Sequence, residues 1–60
     1  MSQAQENREV IAEKIRQACI RAARAGYRDA AMSGLCGEGA MEAAISAMEM
    51  LNLERVLADA

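Results

Sequence analysis

Sixty residues leave room for one domain, and fourteen Ala, one Tyr and no Phe or Trp leave little bulky material for its core. Nine acidic against seven basic residues give a net charge of −2, and there is no His. That balance argues against a broadly basic nucleic-acid binder, and the missing His removes the commonest general base and metal ligand.

Area scaling gives roughly 5,500 Å² buried by a monomer of this length on folding. The hydrophobic gain from that area about equals the entropy lost by the ordered chain, so a lone monomer is marginal. Small domains add disulfides, a metal or oligomerisation to become stable.

The first predicted element is a long helix over about 5–32. It holds no Pro and one Gly, and Val10, Ile11, Ile15, Ala18, Cys19, Ala22 and Ala23 recur at helical spacing. At about 100° per residue its apolar arc is about 200° wide and includes Gly26, Tyr27 and Ile20, against the roughly 100° stripe of an ordinary surface helix. Glu6, Glu9 and Glu13 near its start and Arg21, Arg24 and Arg28 near its end suit the helix dipole.

A turn follows over about 33–37, where Ser33-Gly34-Leu35-Cys36-Gly37 opens a Gly-rich run and Gly34 is placed as a left-handed C-cap. The glycines match neither phosphate-loop fingerprint, and no strand precedes them. They read as a helix stop and restart.

The second helix is predicted over about 38–51. Met41, Ala44, Ile45, Met48 and Leu51 are spaced by three and four, and only Glu42, Ser46 and Glu49 mark a polar stripe. Met41 and Met48 read as core fillers and Met50, on the opposite side, as a contact residue. Asn52 can cap a last short helix over about 53–58. Short connections favour antiparallel neighbours. The fold class is therefore all-α, a single domain made of an antiparallel helical hairpin plus a short C-terminal helix, with oligomerisation completing the core.

Apolar arcs this wide exceed what one partner helix covers. Rows of small residues at a spacing of four, Ala18-Ala22-Gly26 and Ala43-Ala47, allow close backbone approach. Ala18, Ile20, Ala22, Tyr27, Ala43, Ala47 and Met50 are the predicted interface residues. Charge is divided too. Residues 1–28 carry six cations and three anions, +3, and residues 29–60 carry one cation and six anions, −5. In a hairpin these halves are complementary.

Other chemistries find little support. Cys19 falls some 20 Å along the helix from the turn holding Cys36, too far for a bridge that needs Cα atoms within about 7 Å. Two distant cysteines without His make no zinc site, so no metal and no cofactor are expected. Without a signal peptide or a long apolar run, the chain reads as cytoplasmic and reduced, with no membrane partner. Lys14, Arg21, Arg24 and Arg28 share one stripe, yet the acidic net charge favours solvent or a protein over nucleic acid. Cys36 reads as a buried structural thiol; a reactive thiol near a helix start is the alternative, and the sole candidate for catalysis.

The run Ala18-Cys19, Ala22-Ala23, Tyr27, Ala30, Gly34-Leu35-Cys36, Glu38-Gly39, Glu42-Ala43-Ala44 and Leu51-Asn52-Leu53 resembles a group of very short uncharacterised bacterial proteins. Gly-Leu-Cys-x-Glu-Gly is its distinctive part, and the likeness spans roughly residues 15–58. That resemblance implies a bacterial, cytoplasmic protein. Members often carry an acetyltransferase label, but a conventional acetyl-CoA fold needs a sheet and a large pocket, which a hairpin of this length lacks. Met41 also stands where the group has a large aromatic. The expected function is non-enzymatic: self-association, or service as an accessory to a larger protein. A thiol-dependent accessory or acyl-transfer partner using Cys36 is the alternative.

Overall fold

A computed structural model describes residues 3–59, with side chains from Asn7 to Asp59. Glu6, counted above among the acids at the helix start, lies outside the described side chains. Three helices and no strand are present among the described residues: α1 (Gln3–Met32), α2 (Gly37–Glu49) and α3 (Leu53–Ala58). The all-α class is correct. α2 packs along α1, and α3 packs on α1 as well.

Each boundary has a local cause. At the end of α1 the Leu35 amide donates to the Ala30 carbonyl at 3.0 Å, and the Gly34 amide to the Ala31 carbonyl at 3.1 Å. Gly34 adopts φ 94°, the left-handed conformation this Schellman closure requires. α2 begins one residue before the predicted start, at the restart glycine. It ends at Glu49 rather than 51, because Met50 already serves as C-cap and the Leu51 amide tightens onto the Met48 carbonyl. Asn52 then starts α3, its Oδ1 accepting from the Arg55 amide at 3.1 Å. Asn52→Ala should cost about 1 kcal/mol of local stability. Faster amide exchange confined to α3 would register that loss.

The molecule is long and thin. Its Cα extents are 48 × 19 × 14 Å and its radius of gyration is 14.4 Å, against about 10 Å for a compact chain of this length. It exposes 4783 Å², where a compact monomer would expose about 3,800 Å². Folding therefore buries about 1,000 Å² less than the roughly 5,500 Å² expected from length.

The buried apolar residues are Ala18, Ala30, Ala40 and Ala44. Ala40 is the most enclosed at 1% exposure, and among the described residues no large side chain is fully buried. The predicted core positions Met41 and Met48 are instead exposed, Met41 at 56%. The reason lies at Gly26. A Cβ built there would sit 2.8 Å from the Ala43 carbonyl oxygen and 2.9 Å from the Ala47 Cβ. The two backbones are so close that the seam admits only small residues, and the longer apolar side chains are displaced to its flanks.

Candidate interaction surface

In this hairpin the usual order of sizes is inverted: the buried residues are alanines, while most of the Leu, Ile and Met residues and Tyr27 are exposed and Ile15 and Leu51 are half-buried. Of the predicted interface residues, Ala18 is buried and Ala22, Ala43 and Ala47 are half-buried, Ala43 and Ala47 facing Gly26 across the seam between the chain's own helices. Ile20, Tyr27 and Met50 are exposed, Met50 at 79%. The predicted set thus divides into a seam within the chain and a group on the outside.

The outer group has a geometry. Counted at about 100° per residue from the buried row, Tyr27 and Ile20 lie on one flank of α1, while Met41, Ile45 and Met48 lie on one flank of α2. Because the helices are antiparallel, those flanks fall on the same side of the hairpin. Tyr27 is 43% and Ile45 46% exposed. The result is one broad apolar face made of both helices. Ala23 lies half-buried between the flanks.

The opposite side is different. There α3 folds against α1, with Val56 beside Lys14, Gln17 and Arg21, and Leu57 beside Val10 and Ile11. The short helix partly covers that side and leaves the first face bare. Met41, Ile45 and Met48 were not among the predicted interface residues. Their flank position on a two-helix unit, which has no third layer to cover it, was the signal that could have found them.

Charge does not close the hairpin. Among the described residues the only ion pair is Arg16–Glu13, at 2.9 Å and within α1. The complementary halves are thus unpaired across the seam: the cations of α1 and Glu38, Glu42 and Glu49 of α2 all project to solvent. The seam is too narrow and too alanine-rich to bring them together.

Cys36 contradicts the expectation of a buried thiol. It is exposed, because it is the N-cap of α2, with φ −71° and ψ 173°. Its thiol makes no cap hydrogen bond, but the backbone amides of Gly39 and Glu38 at the start of α2 hold its pKa below the ordinary thiol value. Cys19 is a free thiol, half-buried on α1. No helix among the described residues is long and apolar enough to cross a membrane. Comparison with known protein families, curated proteins and solved structures finds no match to this chain.

Proposed function

We propose that this chain is a non-enzymatic helical protein that acts by protein–protein contact, either with itself or as an accessory to a larger protein. The observation that carries this reading is the inversion of sizes: among the described residues only alanines are buried, and every large apolar side chain from Met32 to Met50 is at least one-third exposed. A soluble monomer rarely leaves so continuous an apolar surface bare. The two free thiols suit a reducing compartment. With the resemblance described above, that supports a bacterial cytoplasm.

Thermal unfolding followed by circular dichroism over a hundredfold range of chain concentration tests the proposal. Assembly that supports the fold raises the midpoint with concentration. A cooperative transition whose midpoint ignores concentration would remove the self-association branch, and with no protein retained from the native cell the whole reading would fall.

One observation favours a second reading, a thiol-dependent accessory: Cys36 is exposed, and the α2 amides favour its thiolate. A lowered folded pKa means that the thiolate persists to lower pH in the folded chain than in the unfolded one. Its small stabilising effect is present above the unfolded thiol pKa and is lost as pH falls through the folded value. The iodoacetamide rate of Cys36 should therefore rise with pH at a midpoint below that of the same chain in denaturant. Equal midpoints would end this second reading.

A further inference from the structure

We infer that the surface covering the bare face is a second copy of this chain, packed so that α1 of each protomer lies over α2 of the other. This rests on the interaction reading above and adds the partner, the face and the orientation.

Area comes first. The chain exposes about 1,000 Å² more than a compact monomer of its length, and a standard protein interface removes about 800 Å² from each partner. The surplus is spread over the elongated chain, and one copy of a similar hairpin removes an area of that order. Stacking two such hairpins doubles the number of layers and gives a four-helix arrangement, in which the flank residues of a two-helix unit become core.

Ile20, Tyr27, Met41, Ile45 and Met48 face one way, while α3 occupies the other side of α1. A twofold axis brings identical faces together. With the axis in the plane between them there are two stacking choices. An axis across the helices places α1 on α1 and α2 on α2; an axis along them places α1 on α2.

Charge decides between the two. From Lys14 to Arg28 the helix α1 carries Lys14, Arg16, Arg21, Arg24 and Arg28 and no acid, whereas α2 carries Glu38, Glu42 and Glu49 and no base. Like-on-like stacking would set a basic helix on a basic helix and an acidic one on an acidic one. The α1-on-α2 arrangement sets a basic helix on an acidic one twice, using charges that have no partner across the seam of their own hairpin. Gly26 lies level with Ala43 and Ala47. An axis along the helices preserves these levels, so Arg28 comes level with Glu42 of the other copy and Arg24 level with its Glu49. Such rim charges fix orientation more than they add affinity.

Two charge-reversed chains test this: Arg24→Glu with Arg28→Glu, and Glu42→Lys with Glu49→Lys. All four positions are exposed. Sedimentation equilibrium should show the wild type as a dimer and each reversed chain at least tenfold weaker. An equimolar mixture should recover wild-type assembly as a one-to-one heterodimer, because both of its α1-on-α2 contacts are again opposite in sign. Recovery also shows that each variant chain can fold. Reversed chains that assemble like wild type, or a mixture that does not recover, would overturn the arrangement. A poorly helical wild-type monomer would overturn the second copy while leaving another protein as the cover. A well-folded monomer that binds nothing would remove the interaction reading as well.

Discussion

Gly26→Ala should lower stability even though alanine is the better helix former. Inside an exposed helix the change would gain about 1 kcal/mol. Here the new methyl meets the Ala43 carbonyl oxygen at 2.8 Å and the Ala47 Cβ at 2.9 Å. A backbone atom cannot rotate away, so the helices must separate, and overpacking of this kind costs about 1–3 kcal/mol. For a domain of this size each kcal/mol lowers the melting temperature by about 4–8 °C. Gly39→Ala provides the contrast, because its methyl would meet chiefly the end of the Leu35 side chain. That side chain can turn, and Gly39 lies within α2, so this variant should melt at or above the wild-type temperature. If Gly26→Ala were the more stable of the two, the close seam would not be what excludes larger residues from the core.

Ile45→Asp should abolish assembly while leaving each chain able to form its seam. Ile45 is 46% exposed in the single hairpin, where a surface substitution changes stability by about 0.5 kcal/mol or less. Under a second copy the same aspartate becomes an unpaired buried charge, which costs about 3–5 kcal/mol. That is a loss of more than a hundredfold in association. Ala22→Arg acts elsewhere. Ala22 lies half-buried in the row that includes Ala18 and Gly26, so a long cation there prevents α2 from approaching and removes the hairpin itself. Circular dichroism together with a dilution series separates the two effects. Assembly of Ile45→Asp at wild-type concentrations would contradict the role given to this face.

Helix boundaries were legible in the sequence because each depends on a local residue type. Gly34 supplies the positive φ, Asn52 supplies an oxygen for the Arg55 amide, and the long stretch without Pro gives α1. The width of the apolar arcs was legible too. Which slice of each arc is buried was not, because it depends on how close two helices come, and Gly26 sets that distance only when Ala43 lies opposite it. Met41 and Met48 have core periodicity but flank a seam too tight to admit them. Cys36 was expected inside on residue type alone, and its N-cap position places it at the surface. The division of charge was plain from counting, but counting does not show that both charged sides turn away from the seam.

Coverage of the apolar face by a second copy is read most directly from the molar mass of the wild-type chain by sedimentation equilibrium, with and without reductant. Coverage by a second copy gives twice the chain mass, independent of reductant, falling toward one chain mass on dilution. A single chain mass at every concentration would contradict it.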